Sequence, residues 1–300
     1  MKDFDFVRPK TLDDAVSLYK MAGQKASLLA GGTELINQIR SGKAQPDLVI
    51  DLKHIRDLDF LSMTPEGIRI GALYRTRDAE LCGPLRDSRY NALSYASGTL
   101  GSPQVRNKAT IVGNVCRASP SGDLIPPLIA LGARAKIVGP GTSRSVTVEE
   151  VIVGPNRTIL HPGEVVSELE ISRMEDCTGC SYSKLSPRKS LDLAIVGVAV
   201  LLRTDPDSRC LDAKIVVGAV APTAVRAKKA ESILIGSKFT EATIEECSRA
   251  AAEVSRARDT SIRASAWYRK KMVEALVKRT IGLALEQIKE GKKRGRLWNV

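Results

Sequence analysis

The sequence contains few of the side chains on which common catalytic sites depend. Its 300 residues include only two histidines, His54 and His161, which leave little room for a histidine-based acid–base centre or metal site. Three motifs are also missing, namely G-x-G-x-x-G, G-x-x-x-x-G-K-[ST] and G-x-S-x-G. These absences argue against an ordinary Rossmann dinucleotide site, a Walker phosphate loop and a serine hydrolase.

Long apolar runs and completed cysteine motifs are scarce as well. The longest apolar run, Leu193 to Leu202, is well short of the roughly 20 residues of a bilayer span, so it predicts a buried strand and no membrane span. Cys177 and Cys180 have the spacing of half a metal site that nothing completes, which favours a loop between strands, and we expect no metal. The acidic amino terminus does not resemble a signal peptide, and we expect a cytoplasmic protein with free thiols.

The charge balance is basic, but the material for base stacking is limited. Lysine and arginine total 46 against 34 acidic residues, a formal charge of +12, and aromatic residues make up 4%. A basic surface attracts nucleic acids, anionic cofactors and acidic partners alike. Because no nucleic-acid motif is visible, we expect no nucleic-acid partner, and a basic binding protein without redox function is a minor alternative.

The hydrophobic pattern predicts a mixed chain in at least two parts. Helices are expected at about 12–22, from Leu35 to Gly42, at Leu124–Leu131, from Thr240 to Ala257, and from Ile262 to Glu290 with a stop at Gly291. Strands are expected at Ala26–Ala30, Asp47–Leu52, Gly67–Ala72, Arg134–Val138, Leu193–Leu202 and Ile215–Val220. The region from Gly98 to Gly122 is predicted to be a long functional loop, because idle connectors are shorter. A composition shift predicts a domain boundary near 176–182.

Two glycine-containing segments have features suited to an anion. Ala30-Gly31-Gly32-Thr33-Glu34 lies between a predicted strand and a predicted helix, and Thr110-Ile111-Val112-Gly113-Asn114 forms the second segment. Glycine lets successive backbone N–H groups converge on a phosphate, and Thr33 can cap the helix or donate its hydroxyl to the phosphate. Anion binding without a hydrolytic apparatus is what a tightly bound nucleotide cofactor requires.

The ordered motifs resemble one known family. They are Ala30-Gly31-Gly32-Thr33-Glu34-Leu35, Pro103-Gln104-Val105-Arg106-Asn107 with Thr110-Ile111-Val112-Gly113-Asn114, Ala118-Ser119-Pro120 with Asp123-Leu124, Gly218-Ala219-Val220-Ala221-Pro222-Thr223, and Arg263-Ala264-Ser265-Ala266 with Tyr268-Arg269. Together they resemble the FAD-binding (medium) subunit of molybdenum hydroxylases, the xanthine dehydrogenase and carbon monoxide dehydrogenase family. The resemblance covers nearly the whole chain.

The resemblance implies an α+β fold in two domains. Residues 1–178 would form a two-part FAD-binding domain of the vanillyl-alcohol oxidase (PCMH) type, with subdomains at about 1–58 and 59–178. Residues 179–300 would form a carboxy-terminal domain of a small antiparallel sheet and helices. The residues implied to bind FAD are Leu29, Ala30, Gly31, Gly32, Thr33, Glu34, Leu100, Thr110, Gly113, Asn114, Asp123, Val166 and Lys184.

The resemblance also assigns parts of the cofactor to these residues. The two glycine segments would hold the pyrophosphate and ribityl chain, and Asp123 would accept hydrogen bonds from ribose or ribityl hydroxyls. Val166 and Lys184 would lie by the isoalloxazine, although a surface lysine is an equal alternative for Lys184. Two departures from the family pattern are Val112 in place of a glycine, expected to loosen the backbone approach, and Leu100 in place of an aromatic residue.

The implied function is electron transfer within a complex. A large subunit would carry molybdopterin, a small subunit would carry two [2Fe-2S] clusters, and FAD on this chain would pass electrons to NAD, oxygen, a quinone or another acceptor. The expected assembly is a dimer of heterotrimers, and this chain would contribute no catalytic acid or base. A free-standing FAD-dependent oxidoreductase of the same fold is the alternative.

Overall fold

The computed structural model describes residues 2–188, 191–258 and 262–297, and side chains as far as Gly291. The strands in the described residues are β1 (Asp5–Val7), β2 (Ala26–Leu29), β3 (Leu48–Asp51), β4 (Leu61–Thr64), β5 (Gly67–Gly71), β6 (Arg134–Gly139), β7 (Thr142–Thr147), β8 (Ile152–Gly154), β9 (Arg157–Thr158), β10 (Val165–Ser172), β11 (Thr178–Leu185), β12 (Val196–Thr204), β13 (Cys210–Gly218) and β14 (Val225–Arg226). The α-helices there are α1 (Leu12–Ala22), α2 (Leu35–Arg40), α3 (Thr76–Leu81), α4 (Asn91–Thr99), α5 (Pro103–Arg106), α6 (Ile111–Arg117), α7 (Ile125–Ala130), α8 (Val148–Val151), α9 (Lys228–Leu234), α10 (Glu241–Ala252) and α11 (Ala266–Leu297).

The chain forms two compact units, each made of separated segments. The first unit consists of Met1–Asp78, Pro103–Ala118 and Ala133–Arg173. The second consists of Ala79–Ser102, Ser119–Gly132 and Met174–Val300. The domain bounds predicted from sequence, 1–178 and 179–300, are continuous in the chain and stay a prediction.

The described residues of the first unit form a parallel sheet, a large antiparallel sheet and the two-stranded antiparallel pair β8-β9. Strands β1, β3 and β2 pair in parallel in that order, and α1 connects β1 to β2. A five-stranded antiparallel sheet follows in the order β4-β5-β10-β6-β7, with a register shift in β10 between Val166 and Glu168. Fully buried aliphatic side chains on neighbouring strands, such as Ile70, Ile137 and Leu169, form the core beneath this sheet.

The second unit is an antiparallel sheet with helices on both faces. Its order is β11-β12-β13-β14, and α4 and α7 pack against the sheet, as do α9 and α11, while α10 packs against α9 and α11. Successive side chains of β11 point to opposite faces of the sheet. The Ser183 hydroxyl accordingly bonds Thr280 of α11 on one face, and Tyr182 bonds Asp123, just before α7, on the other. The continuous burial of Val196–Leu202 in β12 follows from this double cover.

Several predicted elements are confirmed. Helix α1 has the predicted bounds, and the Thr11 hydroxyl accepts a hydrogen bond from the Asp14 N–H at its start. The predicted strands of the first unit form within a residue or two of their expected ends. Pro126 and Pro127 lie in the first turn of α7, where the missing N–H groups cost least.

Other predicted elements are wrong in extent. The region from Gly98 to Gly122 is not one long loop, because it contains α5 and α6. Cys180 lies in strand β11 and is fully buried, so only Cys177 occupies the predicted loop. Helix α10 ends at Ala252, since the chain turns away and the Arg256 N–H donates to the Val220 carbonyl. Helix α11 begins at Ala266 and continues through Gly291 instead of stopping there.

The two apolar runs of the carboxy-terminal third form strands with shifted ends. The run predicted from Leu193 becomes β12 from Val196 to Thr204, and the run predicted from Ile215 becomes β13 from Cys210 to Gly218. Strand β13 ends before Val220 because Ala219 adopts a left-handed backbone with φ of 65°.

Candidate functional site

The first glycine segment of the first unit connects β2 to α2. Leu29 is buried at the end of the strand, and the next four residues turn the chain before the helix begins at Leu35. Gly32 has φ of 72°, a left-handed conformation that an L side chain rarely adopts. An added Cβ there would lie 2.9 Å from Leu29 Cδ1 and 3.0 Å from Ile36 Cδ1. The turn therefore depends on glycine at this position for both conformation and space.

Gly31 brings the first segment against the second. An added Cβ at Gly31 would overlap the carbonyl oxygen of Lys108 and would lie 2.9 Å from the Ala109 Cα. Both positions belong to the first unit. The structure therefore brings together the first segment and the stretch that leads into Thr110, two motifs that are separated by more than 70 residues in the sequence.

An ion pair also joins the first segment to the end of α6. The Glu34 carboxylate lies 2.8 Å from Nη2 of Arg117, at the end of α6, and accepts a hydrogen bond from the Gln38 amide at 3.1 Å. Glu34 is the N-cap residue of α2 and makes no side-chain capping hydrogen bond, so of the two roles considered for Thr33 the capping of α2 is wrong. Both partners of the ion pair are partly exposed, and its contribution to stability is at most about 1 kcal/mol.

The second segment is shaped by hydroxyl groups. The Thr110 Oγ1 accepts a hydrogen bond from the Gly113 N–H at 3.0 Å and caps α6. Gly113 is tightly placed, since an added Cβ would lie 2.7 Å from that hydroxyl. Thr76, which is completely buried, donates to the carbonyl oxygens of Arg106 and Ala109. Thr76 thus fixes the entry to the segment.

Asn114 has an unsatisfied acceptor in this region. Its Oδ1 atom is buried and has no hydrogen-bond partner among the residues that the structure describes. A buried polar atom without a partner costs about 1 to 3 kcal/mol of desolvation. Native proteins rarely leave such an atom unexplained, and one explanation is that a ligand supplies the missing donor. Asn114 is therefore the side chain of the second segment that is best suited to a hydroxyl or N–H group of a bound molecule.

Two aliphatic residues of the first unit are buried. Val112, which replaces the glycine of the family pattern, is 4% exposed in the first turn of α6. Its side chain therefore packs in the interior, and Gly113 and Asn114 are the more exposed residues of the turn. Val166 is 3% exposed in β10, beside the register shift.

The second unit contains a buried cluster around Asp123. Lys184 Nζ lies 2.8 Å from Asp123 Oδ2, and the side chains are 7% and 5% exposed respectively. The Tyr182 hydroxyl donates to Asp123 Oδ1 at 3.1 Å, and Lys184 also donates to the Thr99 carbonyl at 3.1 Å. Lys184 is therefore not a surface lysine, so that alternative is wrong, and its place by the isoalloxazine stays a prediction. Leu100, next to Thr99, follows the end of α4 in the same unit.

Burial controls the ionisation of this cluster. It raises the pKa of Asp123, while the charge of Lys184 and the hydrogen bonds from Lys184 and Tyr182 act in the opposite direction. The pKa of Tyr182 lies well above its usual value, because the phenol is buried beside the Asp123 carboxylate. Tyr182 therefore stays a hydrogen-bond donor at all ordinary pH values.

Sequence reasoning missed three residues that shape these regions. Thr76 and Arg117 hold the second segment and the first segment in the first unit, and Tyr182 orients Asp123 in the second. For Tyr182 a signal existed, because strand alternation places it on the same face as Lys184. Within the described part of the chain, no group of three or more histidine, cysteine or acidic side chains is placed to hold a metal ion. Of the helices described there, none is both long and apolar enough to cross a membrane.

Comparisons with known proteins agree over almost the full length. Residues 2–173 match the family model described as the FAD binding domain in molybdopterin dehydrogenase, and residues 181–284 match the CO dehydrogenase flavoprotein C-terminal domain. The nicotinate dehydrogenase FAD-subunit of Eubacterium barkeri is 30% identical over 97% of this chain and 99% of that protein. The carbon monoxide dehydrogenase medium chain of Hydrogenophaga pseudoflava is 31% identical over 94% of this chain and 96% of that protein.

A solved structure has the same fold. The carbon monoxide dehydrogenase from Hydrogenophaga pseudoflava that lacks the Mo-pyranopterin moiety of the molybdenum cofactor aligns with a TM-score of 0.90. The alignment has 30% sequence identity and covers 95% of this chain and 98% of that chain. The predicted α+β class, with an FAD-binding domain followed by a carboxy-terminal domain, is confirmed. The chain belongs to the family of FAD-binding subunits of molybdenum hydroxylases.

Proposed function

We propose that this chain is the electron-transfer subunit of a molybdenum hydroxylase complex and that it binds FAD through the residues described above. Electrons would reach FAD from [2Fe-2S] clusters on a small partner subunit and leave to NAD, oxygen, a quinone or another acceptor. A large partner subunit would hold molybdopterin and hydroxylate the substrate. The dimer of heterotrimers, the cytoplasmic location and the domain bounds at 1–178 and 179–300 stay predictions.

The residues of the first unit fit the diphosphate and sugar parts of FAD. Gly31, Gly32 and Gly113 pack too closely against neighbouring atoms for a side chain, and glycine turns of this kind suit the approach of a phosphate to the backbone. Helices α2 and α6 have only six and seven residues, so the local N–H groups rather than a long helix dipole would hold the charge. Thr110 shapes this turn, and Leu29, Ala30, Thr33, Glu34 and Val166 complete the proposed contacts of this unit.

The residues of the second unit fit the hydroxyl groups and the flavin ring. The Asp123 carboxylate has lone pairs beyond those used by Lys184 and Tyr182, so it can also accept from a ribose or ribityl hydroxyl. Lys184 supplies a fixed positive charge, and Leu100 supplies an apolar surface in place of an aromatic ring. FAD, when bound, accepts and donates electrons singly or in pairs. The chain itself binds it, orients it and keeps Lys184 beside it.

The unsatisfied Asn114 Oδ1 carries this proposal, because it is a buried acceptor in the segment that resembles the family's cofactor loop. Replacing Asn114 with alanine is expected to weaken FAD binding by about 1 to 3 kcal/mol. The same replacement removes an unpaired group from the cofactor-free chain, so its free energy of unfolding is expected to stay unchanged or to rise. FAD binding is measured by fluorescence titration and stability by urea unfolding of the full chain.

The outcome of this experiment separates a ligand contact from a packing role. Unchanged FAD affinity in Asn114→Ala would remove Asn114 from the site. A loss of stability without FAD would show that the amide has a partner within the protein. Gly32→Val serves as the severe variant, because a branched side chain resists positive φ and collides with Leu29 and Ile36, which distorts the first segment. Full FAD occupancy in Gly32→Val would contradict the assignment of the first segment.

A further inference from the structure

Two motifs in the carboxy-terminal part of the chain have no role in the site as described so far. They are the segment 218–223 and the segment 263–269. Both lie in the second unit, together with Asp123. The structure connects them to each other and to the stretch of chain that carries Asp123.

Arg269 occupies the first turn of α11 and points into the protein. Its helix is capped by Ser265, whose hydroxyl accepts a hydrogen bond from the Tyr268 N–H at 3.2 Å. The Arg269 side chain is buried, and its Nη1 donates to the carbonyl oxygen of Ile195 at 2.5 Å and to that of Ala219 at 2.7 Å. Burial of a guanidinium is costly unless hydrogen bonds compensate it, so this position is defined by the acceptors around it.

Ala219 holds a strained backbone between two hydrogen bonds. Its φ is 65°, which costs free energy for any residue with a Cβ and persists only where the surroundings enforce it. The Ala219 carbonyl accepts from Arg269, while its N–H donates to the carbonyl of Pro120 at 2.9 Å. The left-handed residue therefore transmits the position of Arg269 to the segment that precedes Asp123.

Gly218 contacts the same segment on the other side of Asp123. An added Cβ at Gly218 would lie 2.8 Å from Cγ of Pro126 in the first turn of α7. Pro120 and Pro126 stand three residues before and three residues after Asp123. The end of β13 thus holds the chain on both sides of the carboxylate that meets Lys184 and Tyr182.

We propose that Arg269 is a positioning residue for the cofactor site, which acts through Ala219 and Pro120 to hold Asp123 in place. This inference rests on the proposed role of Asp123 in FAD binding. Arg269 does not touch the cofactor in this proposal. Its hydrogen bond keeps Ala219 left-handed, and the Ala219 N–H keeps the 120–126 segment against the end of β13.

The test is a set of FAD titrations with the deflavinated full chain. Arg269→Met is expected to raise the dissociation constant for FAD about tenfold or more, because the 120–126 segment loses its anchor. Arg269→Lys, which keeps the charge but not the fork of donors, is expected to give a smaller increase. Thr280→Val is the matched control, since it removes a buried hydrogen bond of the same helix on the face away from Asp123. It should lower stability and leave FAD affinity unchanged.

Two further variants distinguish positioning from general destabilisation. In an Asp123→Asn background, Arg269→Met is expected to raise the dissociation constant by less than about twofold, because the group through which it acts is already changed. Ala219→Gly removes the cost of the left-handed backbone, so it is expected to restore part of the FAD affinity of Arg269→Met. A structural defect alone would be additive with Asp123→Asn and would not be rescued at Ala219.

Each result has one reading. If Arg269→Met lowers stability as Thr280→Val does but leaves FAD affinity unchanged, the positioning role is overturned. If Arg269→Met does not fold, unchanged FAD affinity in Arg269→Lys overturns it instead. Full additivity with Asp123→Asn also overturns it. If Asp123→Asn, Asn114→Ala and Gly32→Val all bind FAD normally, then the proposed function has failed rather than the role of Arg269.

Discussion

The glycine segments of the first unit and the Asp123 cluster of the second unit use different chemical groups. In the first unit, Gly31, Gly32 and Gly113 allow the backbone to pack closely, and the Thr110 hydroxyl accepts a hydrogen bond from the Gly113 N–H. In the second unit, a buried lysine, a buried aspartate and a tyrosine provide fixed charge and donors. The first region depends on the absence of side-chain atoms, and the second depends on their presence.

This difference predicts opposite sensitivities to mutation. The two glycine segments are expected to tolerate changes of charge nearby but not an added methyl group, because they are in contact at Gly31. A buried ion pair tolerates small changes of volume but not the loss of one partner, because the other charge is left without compensation. The following experiments test whether the two regions obey these separate rules.

The largest effect is expected for Gly31→Ala. The added Cβ overlaps the Lys108 carbonyl, so the two segments must separate, and we expect a loss of about 3 kcal/mol in the free energy of unfolding. Binding of FAD should fall with it. Gly83→Ala is the control, because its φ is −54° and no atom lies within 4 Å of the added Cβ. Equal stability of the two variants in urea unfolding would contradict the close approach of the segments.

Lys184→Met is expected to have the next largest effect. It leaves Asp123 buried with only the Tyr182 hydrogen bond, and we expect a loss of about 2 kcal/mol in the free energy of unfolding. The double variant Lys184→Met with Asp123→Asn should recover part of that loss, because no unpaired charge remains. Urea unfolding of the four chains measures the coupling. Asp123→Asn alone changes the free energy of unfolding by a certain amount. If it changes the free energy of unfolding of Lys184→Met by that same amount, the two effects are additive and the pair does not behave as a buried ion pair.

Tyr182→Phe tests orientation rather than charge. Removal of the hydroxyl deletes one hydrogen bond to Asp123, and we expect a cost of about 1 kcal/mol together with weaker FAD binding. Ser183→Ala is the matched control, since it deletes a buried hydroxyl on the next residue of β11 that bonds Thr280 on the opposite face. The control should lose stability without losing FAD affinity. An equal change of FAD affinity in both variants would refute the role of Tyr182.

The smallest effect is a dependence of stability on pH. Burial raises the pKa of Asp123 above its value in the unfolded chain, while Lys184 and Tyr182 oppose that shift. The contribution of Asp123 to the free energy of unfolding is therefore fully present below the ordinary pKa of aspartate. It declines as the pH rises through the raised pKa of the folded chain. Asp123→Asn should lack this decline. The difference between the two chains is measured by urea unfolding across the acidic range, and parallel curves would contradict the shift.

The same contrast explains how much of the molecule could be predicted from its sequence. Gly31 and Gly32 predict a turn because few other residues suit it. Thr11 and Thr240 predict the starts of helices, because their hydroxyl groups form local capping hydrogen bonds. The motifs also identified Asp123 and Lys184, through resemblance to a family. Their direct pairing could not be predicted, because 61 residues separate them and no local pattern encodes the contact.

Long-range packing accounts for the predictions that failed. Gly291 looks like a helix stop, yet α11 continues through it, and an added Cβ at Gly291 would lie only 2.8 Å from the Ser88 hydroxyl. The glycine spacing between Gly98 and Gly122 looks like a loop, yet tertiary contacts stabilise two short helices there. Thr33 looks like a cap, but the helix begins one residue too late for it.

The helices on the two faces of the β11–β14 sheet have a consequence for the order of folding. Helices α4 and α7 leave the ribosome long before the strands they cover, and every residue of α7 is buried in the finished protein. Until β12 and β13 have been synthesised, these apolar residues have no sheet to pack against. A chain that stops at residue 178 would carry Asp123 next to a helix that lacks its sheet, so the proposed contact of Asp123 with FAD can form only when synthesis of the carboxy-terminal half is nearly complete.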